Sequence, residues 1–495
     1  MPKLIIDRFD GGLSTKDRGI PANQFAIGEK LDIHTTPGYI KPSLAVTTVQ
    51  TTAGDVIDGI PINATVDSAD GKAYFLDGGG KLYQMTLSDE SFNANFDGSA
   101  HYYYAIPSFA AYTGSGLGND LIMFGGKLYF SYNTSTKGYV GMYDGDWTDV
   151  ALLDLDTGGK TSPHPIIDWN GYLWIANNNY LARSDGATVT ATHFNLGTGW
   201  EITALFSTNN YIGICAWKKG IVGNLTECKV FFYDGTSTAY SYSISIQDNR
   251  IYAATNHNGI IYVATYGRNN VAGMISRLTD NGLEPIKKLK LIVNNAEVSF
   301  AVASFAGFNV SQNKLLMCGF NTAATPSAYI FSLGNNEEGE PVAFSFPYLL
   351  STANSNYIYF AKQLTNSKIY IGWRDTTAVG TLSSVNLAGT TYGTATYKPG
   401  YTDMGQKVRI NYVKFYFKPL VASDSVTVTL DTDYGTSNTP QQNAGVISHT
   451  LDGAITSKKF DLGGIECHAF RPCINWSVGG VAFSKIVVDY DFVED

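Results

Sequence analysis

Residues 170–177 read NGYLWIAN. The same phrase returns as DGKAYFLD at 70–77, GGKLYFSY at 125–132, NNYIGICA at 209–216, NGIIYVAT at 258–265, QNKLLMCG at 312–319 and SNYIYFAK at 355–362. Each copy joins a two-residue turn to a short apolar strand rich in Tyr. Asn-Gly, Asp-Gly and Gly-Gly accept positive φ at both central positions of a type I′ turn, whose twist matches the strands it joins. The second turn residue falls at 71, 126, 171, 210, 259, 313 and 356, so the period is about 47 residues.

Further strands flank each copy. KLYQMTL from Lys81, YVGMYDG from Tyr139, YLARSDG from Tyr180, KVFFYDG from Lys229, MISRLTDNG from Met274, AYIFSLGNN from Ala328 and KIYIGW from Lys368 follow the repeated phrase. HPIIDW precedes Asn170 and EITALFST precedes Asn209. The apolar positions alternate by two or run continuously, not at the 3.6 spacing of a helix. Three to four strands in a repeat of this length is the mark of a β-propeller blade. The fold class expected is therefore all-β, an about seven-bladed β-propeller over residues 51–388. Residues 31–50 (LDIHTTPGYIKPSLAVTTVQ) read as two strands about Pro37-Gly38. They either begin an eighth blade or supply one strand of the last, closing the ring without an open edge. Residues 1–50 are assigned to an N-terminal arm with these strands. Residues 389–406 are Gly/Thr-rich and read as a connector. Residues 407–495 alternate in short strands such as KVRINYVKFYF and SVTVTLDTD, and are expected to form a small C-terminal antiparallel β-sandwich.

The 495 residues hold 34 Lys+Arg against 43 Asp+Glu, a net charge of −9, with 16% charged residues, 51 Gly and 32 Tyr. A hydrophobic content of 44% is enough to build a large core and excludes a disordered chain. No stretch approaches the roughly 18 apolar residues that a membrane-spanning helix requires. The opening MPKLIIDRFDGG has no apolar h-region, so no signal peptide is expected. The acidic balance and the lack of a Lys/Arg block argue against a nucleic-acid or anionic-membrane binder. The cysteines at 215, 228, 318, 467 and 473 are odd in number and form no CxxC, which points to free thiols in a reducing compartment.

Catalytic patterns are absent from the sequence. The seven histidines form no HxH or HExxH, and there is no GxSxG or P-loop. TGSGLGND at 113–120 has no helical pattern after it and reads as a loop between blades. Asp77, Asp168 and Asp234 are strand-end acids that a propeller glycosidase would bring together as a carboxylate pair. DLDTGG at Asp154 and DTDYG at Asp431 resemble Ca²⁺ loops but lack the further spaced oxygen ligands, so turn chemistry is the expectation. HYYYAIPSFAAY at 101–112 is an aromatic run suited to a strand with one buried face, or to sugar stacking. No catalytic residue, cofactor or metal ligand is assigned, and no enzymatic activity is expected.

The N-terminal segment carries Phe9-Asp10-Gly11-Gly12-Leu13, Ile20-Pro21, Gln24-Phe25, Gly28, Asp32 and Pro37-Gly38-Tyr39-Ile40-Lys41-Pro42. It resembles the opening of structural tail proteins of tailed bacteriophages, in which a Phe-x-Gly-Gly-Leu/Ile run leads to a Gly-x-Ile-x-(Arg/Lys)-Pro turn and Tyr-rich propeller repeats. Tyr401-Thr402-Asp403-Met404-Gly405 with Lys407-Val408 is similar to the lead-in to their C-terminal β-domain, and Phe460-Asp461-Leu462-Gly463 and Ile486-Val487-Val488-Asp489 also fit. The resemblance implies a virion protein of the neck or tail, of nozzle, ring or hub type, assembled in the host cytoplasm. Its implied partners are other tail or neck proteins and copies of itself in a ring, often sixfold, around a channel that DNA traverses without sequence-specific binding. Phe9, Gly11, Gly12 and Leu13 are the expected assembly contacts, with the glycines permitting a sharp bend. An ordinary turn tethering the arm to the propeller is the alternative for them. A carbohydrate-binding receptor protein and a propeller glycoside hydrolase are the competing functions.

Overall fold

The computed structural model describes residues 2–493 apart from 10–11, 15–23, 37, 52–56, 58, 99–100, 107–119, 135–136, 148–151, 156–162, 219–226, 248–249, 267–272, 294–295, 303–304, 312–313, 321–327, 335–342, 349–356, 375–379 and 441. Seven four-stranded antiparallel blades follow one another. Their innermost strands are Pro61–Asp67, Leu121–Phe124, Ile166–Trp169, Trp200–Ser207, Arg250–His257, Phe308–Ser311 and Tyr357–Thr365. In six of them the repeated phrase is the second strand, as at Tyr172–Asn177, paired back on Ile166–Trp169 through the Asn170-Gly171 turn. Asn170 and Gly171 both have positive φ (52° and 75°), as a type I′ turn demands.

The seventh blade corrects the sequence reading. SNYIYFAK belongs to the innermost strand Tyr357–Thr365, and KIYIGW is the second strand, not the third. The true hairpin turn is Asn366-Ser367, joining Thr365 to Lys368. It has no glycine, and the repeated phrase falls one strand before it. The outermost strand of this blade comes from the other end of the chain: Val46–Thr51 pairs antiparallel with Gly380–Asn386. Of the two readings of residues 31–50, ring closure is the one realised.

Each seam between neighbouring blades has its own apolar cluster. Leu76 and Phe130 meet between the first and second blades, Ile202 and Trp174 between the third and fourth, and Phe360 and Phe75 between the last and the first. All five cysteines are free and buried, and burial pushes the Cys215 and Cys318 thiols upward.

The C-terminal strands form one antiparallel sheet in which Thr402–Phe417 and Phe483–Phe492 pair, and the 22-residue strand Ser457–Val478 pairs first with the former and then with Ser425–Thr432. The two halves face each other where Trp476 meets Phe483 at 5.5 Å. KKFDLG and FRPCINWSV are thus two parts of a single strand. Within the expected connector, Ala395–Pro399 is a strand of this sheet. The core of the sheet is continuous with the seam between the fifth and sixth blades: Phe415 and Phe483 share a cluster with Tyr262 and Phe331.

Gly372 shows how tight the closing seam is. A Cβ there would lie 2.5 Å from the carbonyl of Pro61 in the first blade and 2.2 Å from the Phe360 ring. Gly372→Ala is expected to destabilise the fold by about 1–3 kcal/mol through overpacking. Gly435→Ala, where nothing lies within 4 Å, should be close to neutral. Denaturant midpoints of the two variants check this; equal midpoints would contradict it.

Candidate functional site

The residues of the N-terminal motif gather at one place, the junction between propeller and C-terminal sheet. Lys3–Ile6 first adds to the edge of that sheet, in register Lys3↔Asp489 through Ile6↔Ile486. Phe9 then buries its ring, 2% exposed, edge-on to Tyr397 at 5.7 Å. Phe25 packs on the same Tyr397, also at 5.7 Å. Gly12–Leu13 runs parallel to Gln24-Phe25. Gln24–Glu29 pairs antiparallel with Ala395–Pro399 and, at Glu29, parallel with Phe346 of the sixth blade. Gly28 is required by this packing, since a Cβ would come within 2.1 Å of the Phe25 ring.

A short hairpin follows. Leu31-Asp32 pairs with Lys41-Pro42, and the bend uses Gly38 at φ 76° with the Tyr39 amide donating to the Thr36 carbonyl. Ile40, fully buried, exchanges two backbone hydrogen bonds with Phe483, at 2.9 and 2.8 Å. The Asp32 carboxylate accepts the amides of His34 and Thr35, each at 3.0 Å, and lies 3.6 Å from the Lys41 ammonium. Burial alone would raise its pKa. The Lys314 ammonium of the sixth blade, the Thr35 hydrogen bonds and Lys41 outweigh burial and hold it at about 2. His34 Nε2 meets the Ser332 hydroxyl of the same blade at 3.0 Å. The motif is thus a clasp: backbone pairing and the His34–Ser332 hydrogen bond reach the sixth blade, and strand pairing with three packed aromatic rings reaches the C-terminal sheet.

Of the expected contacts, Phe9 is placed in the chain's own core, and Gly12 and Leu13 lie in a strand of the clasp. Gly11 falls outside the described residues. Phe25 packed on Tyr397, and Asp32 held in the field of Lys314, mark the junction, and neither pairing was foreseen. Phe25 and Asp32 stood in the motif, but nothing local in the sequence links Asp32 to Lys314.

The propeller axis carries a second polar constellation. Lys362 donates to Asn63 Oδ1 at 2.7 Å and to the Ala64 carbonyl at 2.9 Å, and Asn63 donates to Asp120 at 2.9 Å. Asp120 also accepts the amides of Leu121 and Ile166, and so ties four blades together. Burial raises the Asp120 carboxyl and lowers the Lys362 ammonium, and each partner opposes the other's shift. Behind it, His164 is fully buried between the Ala176 carbonyl and Asn133, and burial holds its pKa down to about 4. Arg250 pairs with Glu201 at 3.3 Å on the fourth and fifth blades. These groups are engaged with one another and with backbone, which suits a structural role on the axis.

The acids weighed for glycosidase chemistry lie on three different blades, the first, third and fourth. Asp77 accepts the amides of Gly79 and Lys81 and the Tyr83 hydroxyl, and Asp234 accepts the amides of Thr236 and Ser237. Asp168 is exposed on the third blade. In DTDYG, Asp431 is paired with Arg471 and Lys398, and Asp433 accepts the amides of His468 and Ala469. Among the described residues, no group of three or more His, Cys, Asp or Glu side chains is placed to hold a metal ion. No described helix is long and apolar enough to cross a membrane. Of the aromatic run at 101–112, Tyr104 stacks on Trp147 at 3.8 Å, and residues 107–112 lie outside the described ones.

No known family profile matches this chain, and no curated protein matches its sequence. Among solved structures it is similar to the computationally designed Ika8 protein, at 11% identity and a TM-score of 0.38 over 73% of this chain and 96% of that one. It is also similar to the β-propeller domain of Myceliophteria thermophila Cps50 (Swd1), at 10% identity and a TM-score of 0.43 over 69% and 100%. U3-55K gives 9% identity and a TM-score of 0.44 over 70% and 98%. The chain's own strand pairing, not these likenesses, carries the seven-bladed assignment.

Asp32→Asn removes a charge stabilised by Lys41 at 3.6 Å, by the Thr35 hydrogen bonds and by the field of the buried Lys314 ammonium, so it should cost about 2 kcal/mol at pH 7. A carboxylate whose pKa is depressed from 3.8 to about 2 contributes fully above pH 4 and loses that contribution as pH falls towards 2. The gap in unfolding free energy between the parent and Asp32→Asn should therefore shrink between pH 4 and pH 2. A gap that is constant with pH would contradict the ion-pair assignment.

Proposed function

We propose that this chain is a structural component of a tailed-phage virion, placed in the neck or tail around the DNA-ejection channel. The supporting observation is convergence. The residues that carry the phage-tail resemblance lie at both ends of the chain, and some of them share one apolar core: Phe25 and Ile40 from the first segment, with Phe460 and Ile486 from the last. A signature whose parts are far apart in sequence but joined in space behaves as one unit of a shared architecture. In this reading the protein works by shape and contact and assigns no catalytic turnover. The closed propeller is a rigid body, the clasp fixes its C-terminal sheet, and the chain associates with other tail or neck proteins and with copies of itself in a ring. The net charge of −9 would keep passing DNA from adhering, because phosphates find few counter-charges.

A receptor-binding role is the second reading. Its support is the outer edge of the fourth blade, where Tyr240 and Tyr242 are 42% and 41% exposed, a surface on which a sugar ring could stack.

Immunogold electron microscopy of particles from the source culture separates these. Label at the portal vertex or tail is the expected result, label at fibre tips would favour the receptor reading, and unlabelled particles would refute both. Deleting residues 1–30 removes half of the clasp, so the truncated chain is expected to keep a folded propeller yet fail to enter particles. Normal incorporation of the truncated chain would contradict the proposal.

A further inference from the structure

We propose that the propeller binds a second copy of itself through its two faces, which carry opposite charge. The innermost strands run in the same sense. The turns between first and second strands therefore gather on one face, together with the connections from third to fourth strands. The starts of the innermost strands and the connections from second to third strands lie on the other. Two contacts confirm the alignment of neighbouring blades. Asn256 donates to the Ser207 carbonyl at 2.8 Å on the turn face, and Arg250 meets Glu201 at 3.3 Å on the opposite face.

Charge is sorted between these faces. On the turn face of the first three blades, Asp70, Asp89, Asp144, Asp146 and Asp185 are exposed, and Asp144 is paired with Lys127 at 3.2 Å. A cavity of about 110 Å³ lies there between the first and second blades, where Asp67, Asp70 and Asp144 outnumber the one cation, Lys72, beside Tyr74 and Tyr143. Carboxylates beside tyrosine rings suit an ammonium or guanidinium group. On the opposite face, the fourth and fifth blades present Lys218 and Lys288 exposed and Lys229, Arg250 and Lys287 partly buried, with Lys229 paired to Glu227 and Arg250 to Glu201. Lys218 and Lys229 lie 5.9 and 5.7 Å from the Trp200 ring and Arg250 5.1 Å from that of Trp217, so these cations are already ordered.

Each face has its electrostatic complement on the other side of the same molecule, which makes a second copy the fitting occupant. The acidic sector covers the first three blades and the cationic sector the fourth and fifth. The contact is therefore offset and heterologous, and leaves each copy with one unused face to continue a ring or helix. This would supply the ring of the proposed function but does not rest on it, since a chain absent from virions would associate in the same way.

Sedimentation velocity of the full chain tests this, at about 0.01 M and about 1 M salt, where screening lengths are roughly 30 and 3 Å. Oligomers at low salt that dissociate to monomer at high salt are expected. Lys218→Glu with Lys288→Glu should be monomeric at low salt, and so should Asp70→Lys with Asp146→Lys. An equimolar mixture of the two variants should associate again, which also shows that both are folded. A monomeric parent at low salt, variants that assemble like the parent, or a mixture of folded variants that stays monomeric would each overturn the proposal. So would a lysine variant that loses only retention on added duplex DNA, which would make this face a nucleic-acid surface.

Discussion

The structure depends on one set of backbone hydrogen bonds, those between Val46–Thr51 and Gly380–Asn386. Seven blades laid in a circle from a single chain leave the last one short of a strand, and its third strand would present a row of unpaired amides and carbonyls. The chain fills that edge with a segment made more than three hundred residues earlier. The ring is then a closed system in which loosening any blade strains its neighbours. The apolar clusters at the seams hold only while the blades stay in register.

That closure dictates the path of both termini. The segment feeding the closing strand must reach the outside of the seventh blade, and the chain leaving that blade at Asn386 departs from the same rim. Placing both in one sheet is the economical solution. Lys3–Ile6, Gln24–Glu29 and Ala395–Pro399 all pair there, and the Ile40–Phe483 bridge locks the last turn before closure. The core of the sheet also runs into the seam of the fifth and sixth blades. Propeller and C-terminal sheet are for these reasons coupled through shared strand pairing and a shared core.

What could be read from the sequence was local. Gly-containing turns announce themselves because few residues accept positive φ, and they revealed four of the second strands; those after Asn209-Asn210 and Gln312-Asn313 were found from the repeated apolar phrase. The Asn366-Ser367 turn has no glycine, and the seventh blade was accordingly read one strand out of step. The long strand Ser457–Val478 was read as separate strands because Gly463 and Gly464, at φ 67° and 76°, look like a turn but instead lie within the continuous strand. The arm stood out in the sequence for its cluster of glycines and aromatics. Its partners did not. The meeting of Phe9 and Phe25 on Tyr397, and the hydrogen bond of His34 to Ser332, are long-range facts that no spacing rule encodes.

Native-state hydrogen exchange followed by mass spectrometry tests ring closure most directly. If Val46–Thr51 is an integral strand of the seventh blade, its amides should exchange as slowly as those of Lys368–Arg374, through the same global opening. Fast exchange across Val46–Thr51 with slow exchange in Lys368–Arg374 would mean that the ring is held shut by packing alone, and would contradict the account.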